Sequence, residues 1–124
     1  MPEKILVVED NKQNRTLLRY LLEPHGYEVL EAADGAAGFE CARIHMPDLI
    51  LMDLQMPVMD GYTAIRELKR DKTTGNIKII AVTSFAMKGD REKALVAGAD
   101  DYVSKPISTT ALPMLIKKIL GDKS

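Results

Sequence analysis

Leu49-Ile50-Leu51-Met52-Asp53 is the stretch on which the fold turns. Four consecutive apolar residues with no polar alternation suit a strand buried on both faces, as at the centre of a parallel sheet. The run then stops at a carboxylate. Three other runs stop in a similar way: Ile5-Leu6-Val7-Val8 at Glu9-Asp10, Ile79-Ile80-Ala81-Val82 at Thr83-Ser84, and Tyr102-Val103-Ser104 at Lys105-Pro106. In an open parallel sheet, ligands bind in the crevice beyond the carboxyl ends of the strands, where the strand order reverses. If these runs are neighbouring parallel strands, three acids, a hydroxyl and an amine share one pocket. Such a set suits Mg²⁺ and a phosphoryl group.

The segments between the runs carry helical spacing. Leu17, Leu18, Leu21 and Leu22 lie on one face after Asp10-Asn11, closed by His25-Gly26, with Pro24 marking where that helix tightens or stops. Glu28 to Glu31 reads as a short strand, and Asp34 caps a helix that carries Ala37, Phe39, Cys41, Ala42 and Ile44 as far as Met46-Pro47. The central strand spans Asp48 to Met52, followed by loop and turn from Met56 to Gly61. Tyr62, Ile65 and Leu68 predict a helix ending at Lys69-Arg70, and 71–77 reads as a polar loop. Lys78 to Val82 is a strand, Met87 to Ala97 a helix closed by Gly98, and Asp101 to Ser104 a strand. A last helix is expected from near Ser108, with Lys117 and Lys118 at its negative end. There Pro113 loses a backbone hydrogen bond and crowds Thr109, so either the helix begins later or its first turn is distorted. Strand and helix alternate five times, which argues for a parallel α/β sheet covered on both faces.

Composition sets outer bounds. With 124 residues, 46% of them hydrophobic, the chain has the makings of one domain with a real core and no linker or repeat. The lone Cys41 has no internal partner, and the apolar run after Met1-Pro2-Glu3-Lys4 is only four residues long, too short for a leader, so a reducing, cytoplasmic setting is expected. The apolar runs are too short to span a bilayer. A net charge of −1 with scattered Lys and Arg lacks the basic footprint of a nucleic-acid binder.

Glu9, Asp10 and Asp53 would repel one another if brought together; like charges about 4 Å apart cost roughly 4 kcal/mol at an effective dielectric near 20. A divalent cation compensates such a cluster, and Mg²⁺ is commonly held by one or two carboxylates plus a phosphate. Asp53 can bind metal and remain a nucleophile, since aspartates form acyl phosphates. Lys105 supplies the opposing cation and Thr83 a hydrogen bond, with Ser84 an alternative hydroxyl, and the backbone amides just after Asp53 and Thr83 complete the cradle.

Together, Glu9-Asp10-Asn11, Asp48 through Pro57 with Asp60-Gly61, Thr83-Ser84 and Lys105-Pro106 resemble the receiver domain of two-component response regulators over essentially the full length, 1–124. Phe85 to Asp90 and Lys105 to Ser108 are most similar to stand-alone regulators of the DivK type, and also to receivers attached to hybrid histidine kinases. The resemblance implies a five-stranded, doubly wound, flavodoxin-like sheet of order 2-1-3-4-5. It implies Asp53 as phosphoacceptor, charged from a kinase or phosphotransfer-protein phosphohistidine. Glu9, Asp10, Asp53 and the Gln55 backbone carbonyl would hold Mg²⁺, with Mn²⁺ an alternative. Thr83 and Tyr102 become the switch pair, and Lys105 the phosphate-binding cation before a cis bond to Pro106. The domain would regulate rather than turn over substrate, while promoting its own phosphorylation and dephosphorylation. Since no further module follows residue 124, output is expected through protein contact on the face of the fourth helix, fifth strand and fifth helix.

Plainer readings exist for each residue: an acidic N-cap region for Glu9-Asp10, a solvated loop acid for Asp53, ordinary strand residues for Thr83 and Tyr102, a surface amine for Lys105. His25 and His45 sit at helix ends, Cys41 fits a small buried hydrophobe, and Arg66, Lys69 and Arg70 balance helix charge. A flavin carrier of the same fold would find Glu9-Asp10 repelling its phosphate. An aspartyl-phosphate hydrolase typically needs a second acid two residues past the nucleophile, where this chain has Gln55. Neither a Walker loop nor G-x-G-x-x-G is present.

Overall fold

The computed structural model describes residues 2–56, 60–83 and 89–121. Five strands, β1 (Lys4–Val8), β2 (Glu28–Ala32), β3 (Leu49–Asp53), β4 (Lys78–Thr83) and β5 (Asp101–Ser104), alternate with α1 (Lys12–Leu22), α2 (Gly35–His45), α3 (Gly61–Arg70), α4 (Asp90–Ala97) and α5 (Ala111–Leu120). All strand pairs are parallel and the order is β2-β1-β3-β4-β5, as the resemblance implies.

Period-two alternation sends side chains to two separate cores. Leu6, Val8, Ile50, Met52, Ile79 and Ala81 pack beneath the buried faces of α2, α3 and α4. Their neighbours Ile5, Val7, Leu49, Leu51, Ile80 and Val82 meet Leu18 and Leu22 of α1 and Leu112 and Ile116 of α5. β3 is buried at every position, so its continuous apolar run reflects cover on both faces. Register places the strand ends side by side: Val8 pairs with Met52, Asp53 with Val82, and Thr83 with Ser104.

Local chemistry starts and stops the helices where side chains can satisfy the free backbone groups. Asn11, Asp34 and Asp60 each accept a hydrogen bond from the amide three residues on. After α1, a 3₁₀ turn at Glu23–His25 takes up Pro24, and Gly26 closes it at φ 92°.

Several boundaries differ from the sequence expectation. β2, β3 and β4 each run one residue further, to Ala32, Asp53 and Thr83. The last helix begins at Ala111, not near Ser108. Pro113 is then its third residue, where an amide has no intrahelical carbonyl to meet, so the proline costs nothing there. Ser108 organises the preceding turn: its Oγ accepts from the Ala111 amide at 3.0 Å and its carbonyl from the Leu112 amide at 3.1 Å. The 71–77 segment is polar yet closely built, because the wholly buried Thr74 donates from Oγ1 to the Leu68 carbonyl at 2.6 Å. α4 is described from Asp90; Met87, where that helix was expected to start, lies outside the described residues, as do Pro57 to Met59, Ser84, Phe85 and the last three residues.

Candidate functional site

The aligned carboxyl ends of β1 and β3 deliver Glu9, Asp10 and Asp53 to one place. A carboxylate oxygen from each lies within 4.8 Å of the other two. Glu9 and Asp53 are buried, whereas Asp10 is exposed at the rim. Lys105, following β5, reaches across the sheet end, its Nζ 3.1 Å from Glu9 Oε2 and 3.7 Å from Asp53 Oδ2. The bond between Lys105 and Pro106 is cis, as the resemblance implies.

Residues not singled out in the sequence hold this arrangement. Asn14 Nδ2 donates to Glu9 Oε1 at 3.1 Å, the Asn11 amide donates to the same oxygen at 3.3 Å, and Arg15 Nη1 donates to the Glu9 carbonyl at 2.7 Å. Arg15 is itself tied to Glu31 at 3.1 Å. Asn14 and Arg15 lie in the first turns of α1, so that helix locks the acid that precedes it. The only sequence signal was their spacing of five and six residues from Glu9.

The amide cradle also differs in detail from expectation. The Leu54 amide is spent on the Val82 carbonyl at 2.8 Å, extending the β3–β4 pairing. The amide directed at the acid is that of Gln55, which donates to Asp53 Oδ1 at 3.0 Å. The Gln55 side chain turns to β4, where its Oε1 accepts from the Thr83 hydroxyl at 3.0 Å. Thr83 is wholly buried. Tyr102, half-buried on β5, packs against the α2–α4 side of the core. Burial and the charge of Asp90 raise its phenol pKa, while a side-chain hydrogen bond with Thr83 lowers it.

Electrostatics separates the two buried acids. Burial, the hydrogen bond with Glu9 and the Glu9 charge push Asp53 up to about 7, against the Gln55 amide and Lys105. Burial also opposes the charge of Glu9, but hydrogen bonds from Asp53, Asn14 and Lys105 together hold it below the usual carboxylate range. Two carboxylates in contact cannot both ionise freely, so one holds the proton for the other. Beside Lys105 alone, the proton shared by the pair favours Asp53 over Glu9.

A cavity of about 330 Å³ adjoins the acids, walled by Leu17, Leu18 and Leu21 of α1 and by Ile107, with Asp53 and Lys105 at its end. His25 and His45 are exposed and outside the acidic cluster, and Cys41 is half-buried with its thiol pKa raised by burial. Lys69 has a more specific task than helix charge balance: its Nζ donates to the Ile77 carbonyl at 2.9 Å and pairs with Asp100 at 3.2 Å.

A doubly wound sheet with three acids, a hydroxyl and a lysine gathered at its carboxyl edge defines a receiver-type, phospho-acceptor signalling domain. Residues 5–117 match the model of the response regulator receiver domain, and the chain belongs to that family. It is 45% identical over 122 residues to the polar-differentiation response regulator DivK of Brucella anthropi, covering 98% of this chain and 99% of that protein. Among solved structures it is similar to the receiver domain of sensor histidine kinase PA1611 from Pseudomonas aeruginosa PAO1, which has a magnesium ion coordinated in its active-site cleft. That likeness has a TM-score of 0.90 and 38% identity, over 98% of this chain and 100% of the other. A putative response regulator from Chloroflexus aurantiacus superposes at a TM-score of 0.92 with 29% identity, over 97% and 98% of the two chains. No helix among the described residues is long and apolar enough to cross a membrane.

Proposed function

We propose that the chain is a single receiver domain of the DivK kind, whose Asp53 accepts a phosphoryl group from the phosphohistidine of a kinase or phosphotransfer protein. The observation that carries this is the convergence of Glu9, Asp10 and Asp53 under Lys105. An all-oxygen, strongly anionic donor set, with one carboxylate oxygen from each acid within 4.8 Å of the others, fits Mg²⁺, with Mn²⁺ the alternative. Glu9, Asp10, Asp53 and the Gln55 backbone carbonyl would hold the ion. When bound, Mg²⁺ offsets the carboxylate charge and that of the phosphoryl oxygens.

The chain's own residues do the rest by positioning. An ionised Asp53 oxygen forms the new P–O bond as the P–N bond to the donor imidazole breaks, and the electron pair of that bond stays with the imidazole. The Gln55 amide orients the Asp53 carboxylate through Oδ1, leaving Oδ2 on the side of Lys105. Lys105 then moves its charge from the acids to the phosphoryl group. The Thr83 hydroxyl takes a phosphoryl oxygen and Tyr102 follows it, altering the face of α4, β5 and α5 read by a downstream protein. Gln55 occupies the place of a hydrolase's second acid and cannot relay protons as a carboxylate does, so the domain acts as a switch in the cytoplasm rather than as a turnover enzyme. The DivK resemblance favours a free-standing regulator over a receiver within a hybrid kinase.

Incubation with acetyl phosphate and Mg²⁺, followed by intact mass, tests the acceptor. The mass of one phosphoryl group should be gained by the wild type and not by Asp53→Asn. Equal gain by both would refute the assignment.

A further inference from the structure

Gln55 is joined to both halves of the site by separate groups. Its backbone amide donates to Asp53 Oδ1 at 3.0 Å, and its side-chain Oε1 accepts from Thr83 Oγ1 at 3.0 Å. A threonine hydroxyl has one hydrogen to give. While that hydrogen points to Gln55, it is not available to an oxygen of a group carried on Asp53. Thr83 is wholly buried at the end of β4, with the Tyr102 hydroxyl engaging it from the next strand.

We propose that the Gln55 side chain is a resting-state keeper of the switch, holding the Thr83 hydroxyl until a phosphoryl group on Asp53 takes it away. This rests on Asp53 being the phosphoacceptor. Gln55 is therefore a positioning residue: it sets how much of the phosphoryl group's binding energy is spent in releasing Thr83, and through Thr83 where Tyr102 rests. A neutral hydrogen bond of this kind is worth about 0.5–1.5 kcal/mol, which converts to roughly two- to twelvefold in the switching equilibrium. Loss of the acceptor should make the switch easier to throw. Keeping an acceptor of the same length should preserve the resting geometry.

Gln55→Met removes the acceptor at nearly constant volume, and Gln55→Glu retains an oxygen at the same reach. In metal-free protein, the three-bond couplings that report the Thr83 side-chain rotamer should average in Gln55→Met and stay at the wild-type values in Gln55→Glu. In Mg²⁺ with beryllofluoride as the phosphoryl stand-in, the titration midpoint of Gln55→Met should fall about three- to tenfold below wild type. Wild-type couplings in Gln55→Met, or a midpoint unchanged or raised, would overturn the proposal while leaving the acceptor intact. A wild type blind to beryllofluoride would instead remove the acceptor reading, and this one with it.

Discussion

Lys105 Nζ sits 3.1 Å from Glu9 Oε2, across 96 residues of sequence, and so joins the end of β5 to the end of β1. The lysine does in the metal-free protein what a cation is proposed to do in the working one. Glu9 is 5% exposed in its side chain and Lys105 23%, so the pair is only partly screened by water.

Lys105→Met should therefore have two opposite consequences. The metal-free fold loses about 1–2 kcal/mol, read by urea unfolding in chelator, because Glu9 and Asp53 are left facing each other. Mg²⁺ affinity, read by titration calorimetry, rises about tenfold because the ion no longer competes with an amine. Phosphoryl uptake from acetyl phosphate should fall despite the tighter metal. Metal affinity that drops with the lysine would show that Lys105 supports the ion's site rather than substituting for it.

Asp53 sets a pH dependence whose sign follows from its elevation to about 7. A carboxyl that is harder to ionise folded than unfolded costs no stability below the usual carboxylate range. The cost grows as pH rises from about 4 to 7, and is complete above that. Glu9, held low, works the other way and loses its contribution as pH falls. Comparing wild type with Asp53→Asn isolates the first effect. In chelator at pH 8 the variant should be more stable by at least about 1 kcal/mol, or roughly 4 °C, and near pH 4 the two should converge. Mg²⁺ should reverse the order at pH 8, since only the wild type keeps the full ligand set.

Most of this candidate site was legible because the acids, the hydroxyl and the lysine follow apolar runs, and parallel strands in register bring such ends together. Glu9, Asp53 and Lys105 could be singled out from their positions, whereas position left Thr83 and Ser84 as alternatives and only the resemblance favoured Thr83. Asn14 and Arg15 could not, because a polar residue early in a helix has many uses and only the packing of α1 shows which oxygen of Glu9 it meets. Which amide behind Asp53 meets its carboxylate could not be chosen, since nothing in Leu54 reveals that its N–H extends the ladder to Val82 and leaves that of Gln55 to the acid. The start of α5 was expected near Ser108, with Pro113 leaving open a later start or a distorted first turn, and the helix begins at Ala111. Thr74 lies in a loop as read, but neither its burial nor its hydrogen bond to the Leu68 carbonyl has a signal in the sequence.

Gly61 is a steric requirement of the close approach of the start of α3 to the end of β3, which carries Asp53. A Cβ there would lie 2.6 Å from Leu54 Cα and also collide with the Asp53 carbonyl, both backbone atoms that cannot rotate away. Gly61→Ala should cost about 1–3 kcal/mol by thermal or urea unfolding. It should also slow acetyl phosphate labelling of Asp53 under conditions where the variant is fully folded. Labelling at the wild-type rate would show that the strain is relieved on the α3 side without moving the acceptor.

Asn14 offers the most selective test of how the acids are held. Its Nδ2 donates to Glu9 Oε1, which also accepts from the Asn11 amide, while Lys105 takes Oε2. Hydrogen bonds to ligating carboxylates fix their orientation, and losing one commonly lowers metal affinity 10- to 100-fold. Asn14→Leu keeps the volume and removes the donor, so Mg²⁺ affinity at pH 8 should fall about tenfold with the fold intact. The same hydrogen bond helps hold Glu9 below the usual carboxylate range, so its loss lets Glu9 protonate at higher pH. The defect should therefore widen as pH falls from 8 to 5, because proton and metal compete for one oxygen pair. A defect of constant size across that range would mean that Asn14 orients Glu9 without tuning its charge, and no defect would remove Glu9 from the metal's ligands.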